Sequence, residues 1–259
     1  MMKRKFPRIS IITPSYNQGK FIRQTIDSVL SQGYPNLEYI VIDGGSTDNT
    51  LEILKSYGKK IKWISEKDKG QANAINKGLK QSSGEIVAFI NSDDYYLSGV
   101  LKNVGQYFRK NKDCGVVTGD YVIVNELGIK YQTFVSFYKS VFRKFHCLGL
   151  LSVVNYINQP STFWRMDVCH DIGLFDEKLV YTMDYDFWMR VEKAKIKIGY
   201  LDKKLSAFRI HSNSKGGSRF TQQFAEEQEV QKKHNDKVAL NILHAFHSYL
   251  IIGLYKIIK

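Results

Sequence analysis

The sequence predicts an α/β fold: a single Rossmann-like domain with a mostly parallel central sheet, helices on both faces and a C-terminal helical tail. From Ile9 onward, short β-branched runs alternate with amphipathic segments, the pattern of stacked βαβ units. The apolar runs end in polar clusters, as strands do where an open parallel sheet binds ligands. With 259 residues, 43% of them hydrophobic and 24% charged, the chain can bury one large core and has neither a disordered nor a multi-span composition.

Strands are predicted over residues 9–13, 37–43, 61–65 and 86–90, with helices over 19–32, 47–57 and 71–81 between them. In the first helix Phe21, Thr25 and Val29, and likewise Ile22, Ile26 and Leu30, recur at helical spacing. Thr47 stands where it could cap the second. A helix over 97–109 follows, then a strand over 116–124, a turn at Glu126-Leu127-Gly128 and a strand over 159–165. A helix over 185–195 and a strand over 198–208 complete a domain expected to span residues 1–212, leaving 213–259 as a helical extension.

The net charge of +13 implies attraction to an anion, which could be nucleic acid, a nucleotide diphosphate or an acidic bilayer. Residues 1–130 carry 19 basic and 13 acidic side chains and residues 131–259 carry 19 and 12, so neither half is a basic nucleic-acid arm. The three cysteines, Cys114, Cys147 and Cys169, lack metal-ligand spacing and read as reduced cytosolic thiols. Met1 to Phe6 is basic but has no apolar stretch of the kind a secretory signal needs, so export is not expected.

Four strand ends carry the chemistry. They are Thr13-Pro14-Ser15-Tyr16-Asn17, Asp43-Gly44-Gly45-Ser46-Thr47-Asp48, Glu66-Lys67-Asp68-Lys69-Gly70-Gln71 and Asn91-Ser92-Asp93-Asp94. Their convergence would build one rim. Two adjacent carboxylates at a strand end need a counter-ion, and hard oxygen ligands favour magnesium or manganese completed by substrate phosphates; a turn rich in helix-capping residues is the plainer alternative. Gly44-Gly45 beside Asp43 lets a flat base or ribose approach the backbone, or is simply a tight turn.

Taken together and in this order, these motifs resemble those of glycosyltransferase family 2, over roughly residues 8–210. The resemblance implies a GT-A fold with a donor-binding half at about 8–125 and an acceptor-binding half at about 126–212. It also implies inverting transfer from a nucleotide-diphosphate sugar, most often a UDP-sugar, with a divalent metal, Mn2+ or Mg2+. By position, Pro14 and Tyr16 would flank the base, Asp43 and Asp68 would hold base or ribose, and Thr13, Gly70, Gln71, Asn91 and Ser92 would complete the donor site. Asp93 and Asp94 would sit at the metal and diphosphate, where the family often begins its motif with Asp and this chain has Asn91. Asp184, in Met183-Asp184-Tyr185-Asp186-Phe187-Trp188-Met189-Arg190, falls at the family's catalytic base, and His211 at a position near metal or diphosphate. Without the resemblance, Asp184 would cap a helix, Asp186 would pair with Arg190 four residues on, and Trp188 would be core or an acceptor-stacking face.

Residues 127–166 contain no acidic side chain, and Lys139, Arg143 and Lys144 would share one helical face. Such a surface suits a glycan acceptor, in particular a lipid-linked diphosphate, or an anionic bilayer; a cationic solvent face is the alternative. Residues 238–255 carry no charge but are interrupted by Asn241, His244, His247 and Ser248, which suits an interfacial helix better than a span of at least ~18 residues. The expectation is a cytoplasmic glycosyltransferase of cell-surface glycan synthesis, in peripheral contact with the inner membrane face. A sugar nucleotidyltransferase lacks support because no Gly-rich, Arg-bearing loop follows the first strand. A non-catalytic glycan binder stays open, whereas a nucleic-acid binder would not line a rim with aspartates.

Overall fold

The computed structural model describes residues 6–131, 134–145, 149–212, 214 and 220–258. Its elements, in chain order, are β1 (Ile9–Ser15), α1 (Ile22–Leu30), β2 (Leu37–Asp43), α2 (Thr50–Ser56), β3 (Lys62–Ser65), α3 (Gln71–Gln81), β4 (Ile86–Phe89), β5 (Tyr95–Tyr96) and α4 (Val100–Lys110). There follow β6 (Val116–Val124), β7 (Lys130–Tyr131), α5 (Phe134–Lys144), β8 (Thr162–Arg165), α6 (Met166–Ile172), α7 (Met183–Lys193), β9 (Ile198–Arg209), α8 (Phe220–His234) and α9 (Val238–Ile258).

The strands form one sheet in the order β3-β2-β1-β4-β8-β6-β9-β5, with β7 paired to β6. β3, β2, β1 and β4 are mutually parallel, as are β6 and β9; β8 runs antiparallel between β4 and β6. Every residue of β1 and β4 is buried, as expected of parallel strands covered on both faces. The chain goes from β1 outward to β2 and β3, then returns to the other side of β1 as β4. That reversal opens a crevice beyond the carboxyl ends of β1 and β4. The opposite end is closed around buried Glu38, whose carboxyl burial pushes up, while hydrogen bonds from Lys62, Ser10 and Ser83 prevail and hold it at about 2.

Several expectations need correction. Thr47 does not cap α2: its N–H donates to Asn17 Oδ1 at 2.8 Å, and Asp48 Oδ1 accepts from the N–H of Thr50 at 3.0 Å. Residues 159–161 form a 3-10 turn before β8, around Pro160, which has no N–H to offer a ladder. The helix expected over 97–109 begins only at Val100, after Gly99 at φ 75°, and Tyr95–Tyr96 pair with β9 instead. The helix expected over 185–195 runs from Met183 to Lys193, so Asp184 lies in its first turn. Asp186 does pair with Arg190, at 2.8 Å, and Trp188 is core.

Lys139, Arg143 and Lys144 do not form one solvent face. Arg143 points inward, donating to Asp120 Oδ1 at 2.8 Å and to the Tyr156 carbonyl at 2.9 Å, while Lys144 stays outside near Asp202. Cys114 and Cys169 are free and buried; Cys147 lies outside the described residues.

The last two helices dock onto the domain. Glu226 of α8 accepts from the backbone N–H groups of Val180, Tyr181 and Thr182 just before α7, and His234 reaches Asp186 at 2.8 Å. On α9, His244 Nδ1 lies 3.0 Å from the Val153 carbonyl and His247 Nε2 lies 3.1 Å from the Tyr138 hydroxyl. The outer side of α9 exposes Ile242, Phe246 and Tyr249. No helix among the described residues is long and apolar enough to cross a membrane.

Arg143 is only 1% exposed, so Arg143→Ala should destabilise the fold by about 3 kcal/mol by removing the cation that faces Asp120. A urea midpoint equal to wild type would refute this. His247 is held at about 4, below 6.5, because burial disfavours the imidazolium and Lys139 and His244 repel it. The unfolded chain therefore binds a proton that the folded chain refuses, and stability falls as pH drops from about 6.5 to about 4. His247→Asn should lose less melting temperature than wild type on going from about pH 7 to about pH 5.

Candidate active site

A cavity of about 920 Å³ lies beyond the carboxyl ends of β1, β2 and β4 and continues beneath α5, α8 and α9. At one end Pro14 and Tyr16 extend β1, with Tyr16 61% exposed. Thr13 is under the floor, its hydroxyl 3.0 Å from that of Tyr39. Asp43 is also beneath the surface. Its carboxylate accepts from the N–H groups of Gly45 and Ser46 and from the Ser65 hydroxyl at 2.7–3.1 Å, which shapes the loop that carries Gly44 and Gly45 to the cavity wall. A Cβ on Gly44 would come within 2.7 Å of Asp68 Oδ2, so the glycine is what lets that carboxylate cross the loop. Asp68 Oδ1 accepts from the N–H of Gly70, which holds φ 111° at the start of α3. Gln71 then reaches across the cavity floor, donating to Asn91 Oδ1 at 2.6 Å.

The Asn91-Ser92-Asp93-Asp94 turn splits its two carboxylates. Asp94 is buried and does not line the cavity; its Oδ1 accepts from the N–H of Arg209 at 2.8 Å. Burial first, and the neighbouring Asp93 charge second, raise its carboxyl well above the usual range. Asp93 faces the cavity, with Oδ2 3.1 Å from His211 Nε2. The His211 ring packs against Phe21 with centroids 4.8 Å apart. From α1, the Thr25 hydroxyl lies within hydrogen-bond reach of the Ser92 and Asp94 carbonyls and so holds the turn from behind.

Asp184 enters from the other wall, half-buried in the first turn of α7, with Oδ1 accepting from the N–H of Tyr185 at 2.9 Å. Folding thus gathers Asp68, Gly70, Gln71, Asn91, Ser92 and Asp93 with His211 and Asp184 around one space, while Thr13, Asp43 and Asp94 support it from below. Sequence reasoning missed Arg209, two residues before His211, and Gln159, whose amide donates to the Phe89 carbonyl at 2.6 Å. It also missed Glu227 and His247, wall residues from helices that the sequence presents as a tail. The polar interruption of the apolar stretch 238–255 was the one available signal for His247.

Gly44→Ala should displace the Asp68 carboxylate and break its contact with the Gly70 N–H, shifting the Gly70 amide resonance with little change in melting temperature. An unshifted resonance would show that this close approach is not needed.

Residues 10–173 match the model of Glycosyl transferase family 2. A poly-beta-1,6-N-acetyl-D-glucosamine synthase of Staphylococcus epidermidis is 33% identical over 181 residues, covering 66% of this chain and 43% of the relative. An uncharacterized glycosyltransferase of Haemophilus influenzae is 32% identical over 218 residues, 80% of this chain and 67% of its own length. The chain spans only 31% of the length of a Rickettsia felis glycosyltransferase to which it is 32% identical over 189 residues. Among solved structures, residues 1–349 of S. aureus TarS in complex with UDP-GlcNAc superpose with a TM-score of 0.67 at 24% identity, covering 92% of this chain and 71% of that one. The Pyrobaculum calidifontis mannosyltransferase PcManGT, in complex with GDP-Man and Mn2+, gives 0.71 at 16% identity, covering 95% and 70%. The two structures share the GT-A fold seen here. Because the family match runs through all four strand-end motifs, this chain belongs to glycosyl transferase family 2.

Proposed function

We propose that the chain transfers a sugar, with inversion, from a nucleotide-diphosphate donor to an acceptor hydroxyl in the synthesis of a bacterial cell-surface glycan. The observation that carries this reading is the lining of one cavity by Asp68, Asp93, His211 and Asp184, which lie far apart in the chain. The donor takes the end where Gly44-Gly45 leaves the backbone open, with Tyr16 and Asp68 beside the base and ribose. The UDP-GlcNAc complex of TarS supports a uridine donor.

The carboxylate of Asp93 and the imidazole of His211, 3.1 Å apart and open to the cavity, suit a hard divalent cation. No group of three or more His, Cys, Asp or Glu side chains able to hold a metal occurs among the described residues, so the donor's phosphate oxygens and water would complete the shell. Bound there, Mn2+ or Mg2+ would act as a Lewis acid toward the diphosphate. On this reading Asp93 makes the direct contact, and Asp94 anchors the turn through the Arg209 N–H. The Phe21 ring against His211 limits how far the imidazole can turn.

Asp184 acts on the other side of the sugar. An attacking hydroxyl must give up its proton as the bond to the anomeric carbon forms, and the Asp184 carboxylate is the acceptor for that proton. Its place in the first turn of α7 puts it at the positive end of the helix dipole, and the Tyr185 N–H keeps one oxygen oriented. A nucleotide-sugar donor fits action in the cytoplasm, and the exposed Ile242, Phe246 and Tyr249 of α9 support peripheral contact with a membrane surface.

Asp184→Asn should lower transfer by about 10²- to 10⁴-fold while donor affinity is retained. Normal turnover in this variant would remove Asp184 from the role of base. A thermal-shift panel of UDP-, GDP-, dTDP- and CMP-sugars, with and without manganese, should give its largest shift with a UDP-sugar plus metal. A panel without any shift would contradict the transferase reading itself.

A further inference from the structure

The helix that carries Asp184 starts without the cap its sequence offers. Thr182 immediately precedes α7 and its carbonyl accepts the N–H of Asp186 at 3.0 Å, so it stands at the capping position. A threonine there ordinarily turns its hydroxyl onto the N–H of the second or third helical residue, here Asp184 or Tyr185. The Thr182 hydroxyl makes no such bond. It donates to Glu226 Oε1 of α8 at 2.8 Å, and the Tyr185 N–H goes to the carboxylate of Asp184 instead, at 2.9 Å.

Glu226 takes more than the hydroxyl. The same Oε1 accepts the N–H groups of Tyr181 and Thr182, each at 2.8 Å, and Oε2 accepts that of Val180 at 3.1 Å. Four donors from three consecutive residues thus converge on one carboxylate, as strong charge-assisted hydrogen bonds. They hold Thr182, only 1% exposed, at φ −127° and ψ 24°, outside the extended backbone usual for a cap. The other end of this connection is fixed to α3, where Asn76 donates to the Phe175 carbonyl at 2.9 Å and to Glu177 Oε1 at 3.0 Å. Gripped at both ends, segment 175–182 delivers Tyr181, Met183 and Asp184 to the cavity wall, of which Glu226 itself is not a part.

We infer that Glu226 is a positioning residue for Asp184: by occupying the Thr182 hydroxyl it keeps α7 from capping itself and leaves the Tyr185 N–H to orient the Asp184 carboxylate. This inference rests on the reading of Asp184 as the base and adds what holds it in place. Released from Glu226, Thr182 would take the extended conformation, and its hydroxyl would compete for the N–H that now orients Asp184. Reach matters here more than charge. Three of the four donors meet a single oxygen, so an amide at position 226 would serve nearly as well, whereas a carboxylate one methylene shorter would fall short of them.

The test uses the full chain and two readouts. In NMR spectra Glu226→Ala should shift the Tyr185 amide resonance, although Glu226 does not receive that amide, and adding Thr182→Val, which removes the rival hydroxyl, should return it toward its wild-type position. Glu226→Gln should leave it in place. In assays of UDP release from UDP-GlcNAc with manganese, Glu226→Ala should lower turnover about 10- to 100-fold at unchanged KM, and should lower it no further in the Asp184→Asn background. Should the alanine variant fail to fold, Glu226→Asp carries the same expectations. An unmoved Tyr185 resonance, no return with Thr182→Val, a Glu226→Gln shift as large as that of Glu226→Ala, or a full further loss of turnover on top of Asp184→Asn would each overturn the inference. A wild-type chain that releases no nucleotide from UDP-, GDP-, dTDP- or CMP-sugars would instead overturn the transferase reading beneath it, while the resonances would still decide whether Glu226 orients Asp184.

Discussion

The site depends on how two adjacent carboxylates are separated at the end of β4, and Arg209 is the residue that separates them. Its backbone N–H binds Asp94, and its guanidinium donates to the carbonyls of Asp93, Asn125 and Glu126 and to the Gln24 amide oxygen. The guanidinium also lies over the rings of Phe21 and Tyr95, 5.0 and 5.6 Å from their centroids. A cation only 2% exposed is tolerated because so many of its donors are satisfied. One side chain thus joins α1, the turn after β4, the β6–β7 connection and the end of β9. The result is a division of labour in which Asp94 becomes structure and Asp93 remains available to the cavity.

Charge is handled differently inside the molecule and outside it. The +13 of the whole chain describes its outer field, which attracts anions in general. Cations meet specific partners: Arg143 meets Asp120, and Arg190 and Lys233 meet Asp186, which His234 also reaches. Pairing of this kind explains why Arg143 and Lys144, in a segment without acidic residues between 127 and 166, do not stand as unneutralised cations. Their acids, Asp120 and Asp202, come from β6 and β9, on either side of it in sequence.

The parallel strands were legible because both their faces are buried, so β1, β2 and β4 read as nearly unbroken apolar runs with polar ends. α3 and β6 begin and end where their periodicity and turn residues put them. Helix starts were less legible. Thr47 has the chemistry of a cap, but Asn17, thirty residues earlier in the chain, binds its N–H and leaves Asp48 to receive the first free donor of α2. The short strand Tyr95–Tyr96 exists only because β9 presents Ser206 and Ala207 beside it, a pairing no local pattern announces.

By itself the sequence determined the fold class, the four strand ends that carry the motifs and the residue types on offer there, since these follow from local periodicity and from the polarity of each loop. Tertiary structure alone decided which residues of each motif face the cavity and which lie beneath it, so that Asp68 and Asp93 are presented while Asp43 and Asp94 are spent on backbone N–H groups. It also decided that a C-terminal stretch resembling an appendage would close the cavity with Glu227 and His247. The physical reason is common to both: burial and hydrogen-bond satisfaction are settled by neighbours far away in the chain, and a side chain's chemistry becomes a function only where that packing leaves it a free direction.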